Sequence, residues 1–165
     1  MPSQRIALSL FLVGFTMLVS LSTAWAARPE VIGPIHDEGE APLGDCGTFQ
    51  IIDRYTLSFT LRFMYDRNGT LVRIEEQVRG TDTFINSVTG KSIPTKFANA
   101  VHIDPATGLG ANTGVIFRVT VPGSGAVLLD VGRIVTNRAG DIITFRAGPH
   151  QFFDGDLAGL CKALA

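Results

Sequence analysis

From Phe49 onward, apolar and polar residues alternate along the chain. Tyr55, Leu57, Phe59, Leu61, Phe63 and Tyr65 fall on one side, and Thr56, Ser58, Thr60, Arg62 and Met64 on the other. Period two with an aromatic-rich face predicts a long, half-buried β-strand. Asp66-Arg67-Asn68-Gly69 follows. Asn-Gly is a strong hairpin signal because both residues tolerate positive φ. Thr70 to Arg79 is then the return strand, with Val72, Ile74 and Val78 on one face and Arg73, Glu75, Gln77 and Arg79 on the other.

Further strands are predicted over Thr81 to Asn86 and Lys91 to Ile103. Pro94 in the second of these suggests an edge or a bulge, since proline cannot donate to a ladder. Asp104 to Gly114, with Pro105 and three glycines, reads as a loop. Val115 to Val121 alternates again. Ala126 to Thr136 is apolar on both faces and should be central in the sheet. Asn137-Arg138-Ala139-Gly140 turns the chain into a last strand, Asp141 to Arg146. After Asp156 the period changes: Leu157, Leu160, Cys161 and Leu164 fall at helical spacing, and Asp154 or Asp156 can cap the helix. The expected fold is all-β. It is a single antiparallel β-barrel or barrel-like sandwich of about seven or eight strands, with a short C-terminal helix. The meander-like order and the long first strand favour the barrel, whose interior is either filled or holds one small ligand.

The beginning of the chain has a different character. Arg5 is the only charge before the apolar run Ile6 to Leu21, and Ala24-Trp25-Ala26 gives a small-x-small cleavage pattern. Residues 1–26 therefore read as a secretory signal peptide cut before Ala27, or two residues earlier after Ala24. The apolar run is shorter than the roughly 20 residues of a spanning helix. No membrane span is expected once the signal is removed. Residues 27–45 hold three prolines, three glycines and the acids Glu30, Asp37, Glu38 and Glu40 without any period. They read as an extended, mobile leader. His36 with these acids could be drawn as a metal cluster, but a flexible tail fixes no coordination geometry. The β domain is 46–165.

The chain has 165 residues, Lys+Arg 14 against Asp+Glu 15 and a net charge of −1, a balance that argues against a nucleic-acid partner. Hydrophobic residues are 45% and charged residues 18%, a globular composition. Cys46 and Cys161 are the only cysteines. In an exported chain they are expected to pair and to bracket the domain, tying the helix to the start of the sheet. Closing so long a loop is worth roughly 4–5 kcal/mol in the chain-entropy model.

Catalytic and cofactor signatures are missing from the pattern. There is no phosphate-binding glycine loop and no Gly-x-Ser-x-Gly; Gly123-Ser124-Gly125 lies in a hairpin turn. His36, His102 and His150 show no metal-ligand spacing. No catalytic residue, metal or cofactor is assigned. Asn68-Gly69-Thr70 fits a glycosylation sequon but doubles as the hairpin turn.

Four stretches carry a resemblance. They are Asp45-Cys46-Gly47, Asn86 to Ser92, Val119 to Arg133, and Gly148-Pro149-His150-Gln151 running to Leu160-Cys161. On these the chain resembles a group of uncharacterised exported bacterial proteins. The resemblance covers most of 46–165, with the two cysteines matching. It implies export and a small β domain, and it implies no activity.

Two acids fall on apolar faces: Glu76 between Ile74 and Val78, and Asp130 between Leu128 and Gly132. Each needs a partner or a shifted pKa. Arg118, Arg133 and Arg146 are candidate partners. His150, between the last strand and the helix, could bind, titrate or cap a turn. Three functions are consistent with the pattern. The first is a non-catalytic binding module for a small apolar ligand, with Tyr55, Phe59 and Phe63 as walls and Glu76 and Asp130 as anchors, although ordinary core explains the same aromatic row. The second is a structural or surface-interaction protein without a ligand. The third is a small-barrel isomerase or cyclase. An internal cavity favours the first and third, and a packed interior with an exposed apolar patch favours the second.

Overall fold

The computed structural model describes residues 28–137, 139, 140 and 142–165. The signal-peptide reading of residues 1–26 lies outside them, as do Arg138 and Asp141. Seven strands form one antiparallel sheet in chain order, each paired with the next. They are β1 (Glu30–Asp45), β2 (Gln50–Tyr65), β3 (Leu71–Asn86), β4 (Ser92–Ile103), β5 (Gly110–Val121), β6 (Gly125–Thr136) and β7 (Ile143–Ala147). A short helix, α1 (Ala158–Leu164), ends the chain. The sheet is open, with β1 and β7 as its edges, so the expected barrel closure is not observed. No helix among the described residues is long and apolar enough to cross a membrane.

The expected alternation of β2 is present. Tyr55, Leu57, Phe59, Leu61 and Phe63 share a face with Asp82, Gly80, Val78, Glu76 and Ile74 of β3, their direct partners in the ladder. The hairpin between β2 and β3 turns at Asn68-Gly69. The Asp66 carboxylate accepts the N–H groups of Asn68 and Thr70, and Gly69 takes a φ of 81°.

Four expectations are corrected. The leader is not an irregular, unpaired segment: most of it is β1, paired along its length with β2. Its pattern hid this because an edge strand with both faces exposed needs no apolar alternation. Thr70–Arg79 and Thr81–Asn86 are one strand, since Gly80 continues the ladder opposite Leu57 and Phe97. Glycine is required there: a Cβ would run into the Thr56 backbone carbonyl, and into the Phe97 ring at 2.7 Å. Only the first part of 104–114 is a turn, and Gly110 already pairs with Ile103 and Thr136. Finally, β6 is not central but lies next to the edge strand β7. The helix α1 packs against β6. Pro94 behaves as expected locally, because the β4–β5 ladder begins only at Ala98.

The fully buried core sits at one end of the apolar face. Ile51, Phe84, Val119, Leu128, Leu160 and Leu164 form it, with Phe49 and Val127 nearly as buried. The helix covers this end. Leu157 occupies its cap position without a side-chain bond, and the expected Asp156 accepts the Ala158 N–H at 3.3 Å. The Cys46–Cys161 disulfide joins the helix to the turn after β1, with Cα atoms 5.6 Å apart across 115 residues of sequence. Buried Asn86 donates to the Leu164 carbonyl at 3.1 Å and accepts from Val88 and Thr89. One amide thus fixes both the β3–β4 turn and the end of the helix.

Candidate functional site

Two carboxyl groups share the apolar face beside the core. Asp53 lies in phase with Ile51, Tyr55 and Leu57, and Asp82 in phase with Gly80 and Phe84. The register sets Asp53 opposite Phe84 and Tyr55 opposite Asp82, so the acids are diagonal neighbours on paired strands. Asp82 is only 3% exposed. Asp53 Oδ1 and Asp82 Oδ2 are buried without a hydrogen-bond partner among the described residues. An unpartnered carboxylate removed from water is unstable relative to its acid. Burial raises Asp53 from 3.8 to about 6. Burial and then the Asp53 charge raise Asp82 to about 7.

Both acids border an open-mouthed cavity of about 230 Å³. Leu57, Phe97, Ile116 and Phe117 supply its apolar wall, and Tyr55 and Asn99 complete the lining. Four of the lining residues have a visible support. Phe97 lies over Gly80, as described above. Asn99 donates to Asn112 Oδ1 at 2.9 Å. The irregularity between Val115 and Phe117 breaks the alternation of β5 and lets both Ile116 and Phe117 reach the cavity. Phe117 packs edge-on against Phe84 at 5.7 Å and against Phe152 at 5.1 Å, which joins the cavity wall to the core.

Of the residues singled out in the sequence, Tyr55 lines this cavity, while Phe59, Phe63, Glu76 and Asp130 do not. Phe59 and Phe63 lie further along β2 on the same face. Glu76 sits half-buried between Leu61 and Val101 of the neighbouring strands, with no ion pair among the described residues. Asp130 is fully buried, and its partner is His150 rather than an arginine. Oδ1 lies 2.9 Å from His150 Nδ1, and Oδ2 accepts the Phe152 N–H at 2.9 Å. The other ring nitrogen of His150 lies 3.2 Å from the Ala147 carbonyl oxygen. Both ring nitrogens therefore face oxygen atoms, which fixes the orientation of the ring. Phe152, held by Asp130 through its N–H, packs on Phe117 of the cavity wall. Arg146 pairs with Asp154 instead.

The acids drawn as a metal cluster in the leader are divided by strand alternation. His36, Glu38 and Glu40 share a face of β1, and Asp37 faces the other way. No three metal-ligating side chains converge among the described residues. Larger hollows of about 480 Å³ and about 760 Å³ lie along Ser58, Arg79 and Ala98 on the polar face, and neither is lined by a buried unpartnered group. His102 Nδ1 makes no hydrogen bond, but the Glu75 carboxylate lies 3.5 Å from it. His102 lines a hollow of about 380 Å³ with Val72, Ile103 and Leu109, whereas the Asp53–Asp82 cavity is where two unpartnered carboxyl groups meet an apolar wall. Comparison with protein-family models, with curated proteins and with solved structures finds no match to this chain.

Proposed function

We propose that this chain is an exported, non-catalytic binding module for a small ligand with an apolar body. One observation carries the reading: a cavity of about 230 Å³ with an aromatic and aliphatic wall and two carboxyl groups, each with a buried oxygen lacking a partner. Ligand sites combine such walls with a few convergent polar groups, and a group left unsatisfied in the free protein is one that a ligand can satisfy. The size suits a single-ring compound. The disulfide supports an extracytoplasmic place of action.

A second reading has an observation of its own. Asp53 at about 6 and Asp82 at about 7 are poised to exchange protons near neutral pH, which favours an isomerase or cyclase using the same cavity. Nothing in the cavity favours the purely structural alternative.

Native mass spectrometry of protein collected from its own host tests both against that alternative. The expected result is an added mass that organic extraction removes. Backbone NMR during titration with 2-phenylethanol then locates the site. Shifts are expected at Leu57, Asn99 and Phe117. Phe97→Ala is expected to weaken binding roughly tenfold or more, the scale of one lost aromatic contact. Glu76→Leu, away from the cavity, leaves affinity unchanged. Shifts confined to the polar face would sink the reading.

A further inference from the structure

We infer that the cavity selects an organic cation, with an ammonium head between Asp53 and Asp82 and an aryl or alkyl body against Phe97 and Phe117. This rests on the binding reading above and adds the charge of the ligand to it.

The unsatisfied groups set the requirement. Asp53 Oδ1 and Asp82 Oδ2 are both acceptors when ionised, on adjacent strands and at one cavity. An alcohol brings one O–H donor, whereas an ammonium brings three N–H donors and can serve both acids at once. Such charge-assisted bonds are roughly twice as strong as neutral ones.

The chain's own cations are kept away. No Lys, Arg or His lines the cavity. Arg54 and Arg79 on β2 and β3, and Lys96 on β4, fall on the opposite face by strand alternation. On β5, Arg118 lines the polar-face hollow. The titratable groups that share the cavity's face nearby are Tyr55 on β2, Asp37 on β1, Glu76 on β3, Asp130 on β6 and Arg146 on β7, the last two held by His150 and Asp154. None of them brings an unpaired positive charge to Asp53 and Asp82. A cation brought in from outside relieves both the desolvation of the acids and their mutual repulsion. An anionic ligand would add to that repulsion. The wall suits the remainder of such a ligand, because aromatic faces attract cations as well as apolar bodies.

The test compares two compounds of one shape on the full disulfide-bonded protein. Isothermal titration at pH 8 with 2-phenylethylamine and with 2-phenylethanol reads the charge directly. The amine is expected to bind at least roughly tenfold tighter, the order of one charge-assisted contact. In Asp82→Asn, which keeps shape and relieves a buried charge, the preference should fall below roughly threefold while the alcohol's affinity holds. Thermal melting checks that the variant is folded. Equal affinity for amine and alcohol in the native protein would overturn the inference and leave the binding reading standing. Binding of neither compound would overturn both. An amine preference that survives in the Asp53→Asn/Asp82→Asn double variant would place the cation elsewhere and also overturn it.

Discussion

Asp82 is a buried acid with one carboxylate oxygen unpartnered, and its consequence at the residue scale is a pH dependence of stability. In the folded chain its pKa is raised from 3.8 to about 7, and that of Asp53 to about 6. Between about pH 4 and pH 7 the folded state therefore holds more protons than the unfolded one. Stability falls as pH rises through that window, and the loss is complete above the folded pKa. Asp82→Asn removes the larger contribution. Its expected effect is a gain of about 2 kcal/mol at pH 8 and little change at pH 4, read by urea unfolding at the two values. A gain of equal size at both would show that repulsion and desolvation of the charge are not the cause. These acids interrupt an apolar phase as Glu76 and Asp130 do, but neither lies between two aliphatics in phase as Glu76 does. Asp53 stands two residues before Tyr55, and Asp82 two before Phe84. What the sequence could not supply was pairing. Asp130 and His150 each stood out, but they meet only because the segment after β7 folds back across β6.

The helix shows how an element too weak alone is held by the whole. Seven residues lie well below the roughly 12–15 at which an isolated helix becomes even marginal in water. Burial of Leu160 and Leu164, the Asn86 bond to its last turn and the disulfide replace intrinsic stability. Its heptad-like spacing and its cysteine were legible, because both are local features of the pattern. The strand boundaries were less so. Gly80 reads as a break by composition, yet it is a contact position for Phe97, and Gly110 to Gly114 pair through backbone groups that leave no side-chain signature. Replacing both cysteines with serine is expected to lower stability by about 2–4 kcal/mol. Hydrogen exchange should report the loss first in the α1 amides, with the β2–β3 ladder protected longest. Uniform loss of protection would mean that helix and sheet unfold as one unit.

At the scale of the whole molecule, an open sheet must deal with its edges, and β1 is the means. It carries Glu30, Asp37, Glu38 and Glu40, two prolines and register shifts near Ile32 and Pro42, features that discourage pairing with another chain. The same features make it read as a mobile leader, so the overall class was legible and the edge was not. Behind it lies β2, sixteen residues long with aromatics on one face. Without β1 those residues would offer a full row of unpaired backbone groups next to an apolar face, the combination that seeds strand addition. Deleting residues 30–43 while keeping Cys46 is therefore expected to cause self-association at concentrations where the full chain keeps its size. Size-exclusion chromatography with light scattering reads this directly. Cross-strand bonds of β1, such as Tyr65 to Glu30 at 3.1 Å and the Arg54–Glu40 pair, are exposed and contribute little on their own. A truncated chain of unchanged size and stability would therefore make β1 a dispensable strap. A truncated chain that associates would make it the strand that keeps a one-sided sheet separate from its copies.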